Sequence, residues 1–247
     1  MNSLRWLRYF EQNRRDRSEP AWHLPSPLDQ KTRAEIARSL SHFQLGESGE
    51  GRFLLEQARR QAPDDPCYAE ALALFIDEEK EHARLLEKLV GRFGGSLIRR
   101  HWTHSLFRLL RRGLGLNFEI QVLVIAELVG TAYYRLLGLR TRDPVLEEAC
   151  ALFLRDEAKH IAFHIDWLRA VQTQWLPAEC AAWSVQFQIL FTAAARAAWI
   201  DHRAALRLIG SNKREFFREA RRECITFLRA LEEPEGARAP QELISPA

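Results

Sequence analysis

Residues 65 to 86, DPCYAEALALFIDEEKEHARLL, and residues 143 to 164, DPVLEEACALFLRDEAKHIAFH, are two copies of one pattern, offset by 78 positions and aligned without a gap. Each opens on Asp-Pro, an N-cap acid followed by the residue best tolerated at the first position of a helix. Apolar side chains then recur at spacings of three and four, the helical period. Thirteen residues beyond each proline stands a glutamate with a histidine three positions on: Glu79 and His82 in the first copy, Glu157 and His160 in the second. Residues at i and i+3 share a helix face, so each pair can offer a carboxylate oxygen and an imidazole nitrogen to one point. Glu-x-x-His alone is too short to mean much. Its identical frame in a duplicated helix is what gives it weight.

The same period runs through nearly the whole chain after residue 28, while alternation of period two is scarce, so the sequence predicts an all-α fold. A short helix is expected over 3 to 16, followed by SEPAWHLPSP, whose prolines bar helix. Longer helices are expected over 29 to 62, 66 to 92, 105 to 140, 144 to 173, 177 to 209 and 212 to 232, separated by APDDP, FGGS, TRDP, LPAE and IGSN. The organisation read from this is an N-terminal helix and linker (1 to 28), one helical domain (29 to 232) and a loose Pro-rich tail (233 to 247). Four long helices suit an antiparallel bundle with a crossover through 93 to 105, and the last two pack outside it.

Composition excludes several classes. Four cysteines with no Cys-x-x-Cys pair argue against a zinc ribbon, a rubredoxin-type iron site or a disulfide framework, and fit a reducing cytoplasm. The N-terminus has no apolar stretch of the secretory type. The apolar runs are interrupted by Gln121, Glu127, Arg135, Gln186, Gln188 and Arg196, so no membrane span is expected. A net charge of +3 gives no reason to expect a nucleic-acid partner, although arginines cluster at residues 5 to 17 and 99 to 112. His101 and His104, beside the second cluster, read as surface or partner-facing residues.

One acid contradicts its surroundings. In VLVIAELVGTAYY, residues 122 to 134, Glu127 is the single carboxylate among apolar side chains, costly to bury unless it is paired, protonated or bound to a metal. It lies 30 residues before Glu157, and in the first half Glu50 lies 29 residues before Glu79. One glutamate from each of two helices and one Glu-x-x-His from each of two others make a set of four carboxylates and two imidazoles. With these residues the sequence resembles the ferritin-like di-iron carboxylate superfamily, in its oxygenase and oxidase branch, over about residues 40 to 170. The resemblance implies a four-helix bundle with two irons, or manganese or a mixed Fe/Mn pair, held by Glu50, Glu79, His82, Glu127, Glu157 and His160.

Further side chains could join this set. Glu47 lies on nearly the same face as Glu50 and is the alternative first ligand or an added acid. Glu78 and Asp156, each immediately before a motif glutamate, could orient the histidine of the opposite helix, since a ligating imidazole usually gives its other N–H to a carboxylate. His164 stays on the stripe of Glu157 and His160, and a third histidine is similar to the N-oxygenase branch, at a different spacing. Tyr133 and Tyr134 could line the cavity or carry electrons, and Trp183, Phe187, Phe191 and Trp199 could wall a substrate pocket. The function expected is O2 activation to hydroxylate, desaturate or N-oxygenate a small organic substrate, with an external electron donor and room for a homodimer. Ferroxidase- or peroxidase-type metal handling and a noncatalytic helical binding protein are the alternatives.

Overall fold

The computed structural model describes residues 1 to 49, 51 to 102 and 115 to 233, all helix and connecting turns with no strand among them. The helices are α1 (Ser3–Arg15), α2 (Gln30–Glu47), α3 (Arg52–Gln61), α4 (Pro66–Arg92), α5 (Leu116–Arg140), α6 (Pro144–Gln172), α7 (Pro177–Leu208) and α8 (Lys213–Glu232). The duplicated openings act as their chemistry requires: the Asp65 side chain accepts from the Tyr68 N–H, and Asp143 from that of Leu146, each with proline at the first turn. Asn2, Asp29 and Asn212 cap α1, α2 and α8 in the same way.

One expected helix is two. The span 29 to 62 breaks between Glu47 and Arg52, where the sequence places Gly49 and Gly51. Gly51 has φ +61°, and a β-carbon there would stand 2.4 Å from Ile76 Cδ1, so the left-handed turn sits directly on α4. Only glycine takes that conformation and that approach together. Glu50 falls in this break, outside the described residues. The first part of the helix expected over 105 to 140, with His104 and the arginines from 103 to 114, also lies outside them, as does the tail after 233.

Packing follows the apolar faces. The principal pairs are α2 on α4 and α5 on α6, with α1 laid on α4 and both α7 and α8 laid on α5. α1 is pinned by Phe10, wholly buried against Phe75 and Phe163, and by Trp6, whose indole N–H donates to Asp166 at 2.8 Å. Removing a ring such as Phe10 would cost about 3–5 kcal/mol, since the cavity it left would add to the lost transfer energy. α5 is long and apolar enough to cross a membrane by length and composition, yet 72% of that stretch is buried in the protein. A helix apolar around its whole circumference is what a core position surrounded by other helices demands. Trp183, Phe187, Phe191 and Trp199 are all buried, and Phe187 stacks on Phe227 of α8 with centroids 4.9 Å apart. They join α7 to α8, and the pocket wall that α7 provides is made instead of Ala194, Ala197, Ala198, Asp201 and His202.

Candidate metal centre

The two Glu-x-x-His pairs meet. Glu79, His82, Glu157 and His160 each turn one donor atom to a common point, all four atoms within 4.8 Å of one another. His160 Nδ1 lies 2.9 Å from Glu79 Oε1 and 3.6 Å from Glu157 Oε2, while His82 Nδ1 lies 3.7 Å from Glu157 Oε1 and 3.9 Å from Glu79 Oε1. Three of these residues are buried and Glu79 is nearly so. Each helix contributes a carboxylate and an imidazole one turn apart, and the approach of α4 to α6 brings the two copies face to face.

The outer nitrogens are held crosswise. His82 Nε2 is 3.1 Å from Asp156 Oδ2, and His160 Nε2 is 3.0 Å from Glu78 Oε2. Each acid therefore reaches the histidine of the opposite helix. With Nε2 engaged outward, Nδ1 of each ring faces the centre. Glu78 and Asp156 are in turn tied to α1 and the segment after it: Asn13 Nδ2 donates to Glu78 at 2.6 Å and Asp156 at 3.2 Å, and Arg17 pairs with Asp156 at 2.9 Å. The sequence alone gives Asn13 no role and Arg17 only a place in the N-terminal arginine cluster, because no spacing rule links residues so far from the motifs they hold.

Glu127 and His164 form a second tier. Their closest atoms, Oε1 and Nε2, are 3.2 Å apart, and both residues are buried. Glu127 lines the same cavity as Glu79 and Glu157. Glu47, at the end of α2, shares a hydrogen bond with Glu79, and its carboxyl is raised well above the usual range by burial and by the charge of Glu79. Tyr134 is buried with its hydroxyl unpaired, and burial together with the charges of Glu47 and Glu157 holds it in the protonated form.

The electrostatics are those of a cluster with too many acids. Burial, reinforced by Glu79, pushes the Glu157 carboxyl up to about 7 despite its hydrogen bond to His160. Burial opposes ionisation of Glu79 too, but hydrogen bonds from Glu47 and His160 outweigh it and hold that group low. Burial would neutralise His160, yet its hydrogen bonds to Glu157, Glu78 and Glu79 keep it protonated well above the ordinary histidine value. Glu79 thus ionises readily while Glu47 and Glu157 resist ionisation, and the carboxylates around His160 favour its protonated form.

The donor set fits a cation. His82 Nδ1, both oxygens of Glu127 and both nitrogens of His164 are buried without a hydrogen-bond partner. Buried polar atoms are nearly always satisfied, so a concentration of unsatisfied lone pairs around one point needs a proton or a metal there. Oxygen and imidazole nitrogen together suit iron, manganese or zinc over calcium or magnesium. Beside the cluster opens a cavity of about 740 Å³, lined by Phe75, Ile76, Val122 and Val129 together with polar Glu119, Arg99 and His202. Glu119 escaped the sequence reading, although it stands eight positions before Glu127 on one helix face. No family model, no curated protein and no solved structure matches this chain.

Proposed function

We propose that this protein is a ferritin-like di-iron, or iron and manganese, carboxylate oxidoreductase that activates O2 to hydroxylate, desaturate or N-oxygenate a small organic substrate. The observation that carries the reading is the opening of the buried Glu79, His82, Glu157 and His160 cluster onto a 740 Å³ cavity large enough for such a substrate. Those four residues would hold the metals, with Glu127, Glu47 and His164 available beside them. Bound there, the metals would supply Lewis acidity and reversible electron transfer at the cavity wall.

The chain's own side chains prepare the site for that role. Asp156 and Glu78 fix the orientation of the two imidazoles, and Arg17 and Asn13 fix the two acids. Phe75, Ile76, Val122 and Val129 give the cavity an apolar wall that excludes water and favours an apolar substrate. Tyr134 retains its proton, held there by burial and by the charges of Glu47 and Glu157. Electrons come from an external donor, since the four cysteines are separate free thiols.

The test is metal content followed by O2 uptake. Protein from iron-supplemented cells should carry about two irons per chain, and after anaerobic reduction should consume O2 in a burst that ends when the centre is oxidised. Continued ferric accumulation beyond that stoichiometry would turn the reading toward metal storage. Protein that takes up no iron even on reconstitution would end it.

A further inference from the structure

We propose that His42, His101 and Asp201 form a second metal site, holding one divalent transition ion on the wall of the cavity and sharing no residue with the Glu-x-x-His centre. His42 lies on α2, Asp201 on α7, and His101 in the segment that follows α4. The rings of His42 and His101 stack with centroids 4.1 Å apart, and His101 Nδ1 stands 3.7 Å from Asp201 Oδ2. One donor atom from each of the three lies within 4.8 Å of the other two. His101, expected from sequence on the surface, is instead half-buried between α2 and α7.

One further observation points to an ion. His42 Nδ1 is buried without a hydrogen-bond partner, a lone pair or proton with nowhere to go. The adjacent His202 is differently engaged, with Nδ1 at 2.8 Å from Ser39 Oγ. Asp201 supplies the negative charge that two neutral imidazoles lack.

Two nitrogens and a carboxylate suit zinc, cobalt or ferrous iron and discriminate against magnesium and calcium. Metal bonds of about 2.0–2.2 Å require the donors to close inward by roughly 1 Å, a small movement for side chains on three separate segments. Since His42 and Asp201 both line the cavity, a remaining coordination position would face it. His42 precedes Glu47 by five residues, which separates the two sites by about 7–8 Å along α2.

The experiment uses the full chain with Glu79→Ala and Glu157→Ala, stripped by chelator and titrated with Zn2+ and with Co2+. About one ion per chain should remain, and adding His42→Ala or Asp201→Asn should abolish it with unchanged helicity by circular dichroism. A double variant that folds and binds nothing, or binding indifferent to both further substitutions, would overturn the proposal. Should the double variant fail to fold, His42→Ala in the native chain decides. Loss of one Zn2+ per chain supports the site, and unchanged stoichiometry refutes it. Because the readout is independent of O2 and iron, it stands or falls separately from the proposed oxidoreductase activity.

Discussion

Glu127 Oε1 lies 3.2 Å from His164 Nε2, yet neither atom makes a hydrogen bond, and the second oxygen of Glu127 and second nitrogen of His164 are unpaired as well. Two polar groups on neighbouring core helices face each other and leave four donor and acceptor sites unused. Sealing them there without compensation would cost about 1–3 kcal/mol per group. Replacing Glu127 with Ala should therefore leave the far-UV spectrum nearly intact and hold or raise the melting temperature of the metal-free protein, while binding of two metals is lost. Full metal occupancy in Glu127→Ala would remove it from the donor set.

Asp156 and Glu78 act through the histidines they touch. If their role is to fix the rings, Asp156→Asn and Glu78→Gln should weaken metal binding by about 10- to 100-fold, as is usual when the partner of a ligating imidazole is changed. A chelator competition titration measures this. Equal affinity in wild type and both variants would reduce the crossed contacts at 3.1 and 3.0 Å to simple ion pairing.

The duplicated helix, its caps and its paired donors were legible because they are local: periods of three and four, and an Asp-Pro start, survive any tertiary context. So was the crosswise reach of Glu78 and Asp156, since two helices related by a repeat meet with like positions opposed. The break at Gly51 was not legible, because it depends on how closely the turn approaches Ile76. Nor was the grouping of His42, His101 and Asp201, which come from three segments that share no periodicity. The break also bears on Glu47: α2 ends at this residue, which reaches Glu79, while Glu50 lies outside the described residues.

Gly51 can be tested directly. A β-carbon at this position meets both a left-handed backbone and the Ile76 side chain at 2.4 Å. Gly51→Ala should destabilise the protein by about 1–3 kcal/mol from backbone strain, with an added steric cost. Chemical denaturation measures it. The same substitution should loosen the end of α2 and with it the contact of Glu47 with Glu79, so weaker metal binding should accompany the lost stability. An unchanged midpoint would show that the turn is not held in this conformation.

Protons and metal compete for the same atoms, which fixes the direction of the pH dependence. Glu157 is raised to about 7 and His160 well above the ordinary histidine value, so near neutral pH the metal-free site holds protons that a cation must displace. Metal affinity should therefore rise with pH between about 6 and 8, and binding should release protons, detected as a heat that varies with the ionisation enthalpy of the buffer. Stability of the metal-free chain runs the other way. Above the unfolded histidine value of 6.5 the unfolded chain has shed the His160 proton and the folded chain retains it, so stability falls as pH rises through the folded value. His202, lowered to about 3 by burial and by the nearby His42, His101 and Arg38 charges, has its effect below 6.5, where acid favours the unfolded chain. The metal-free protein should accordingly be most stable near pH 6.5 as far as these two histidines decide it, and saturating metal should move that maximum upward. Metal binding without proton release, or a stability maximum unmoved by metal, would show that the buried carboxylates and imidazoles are not the groups the cation meets.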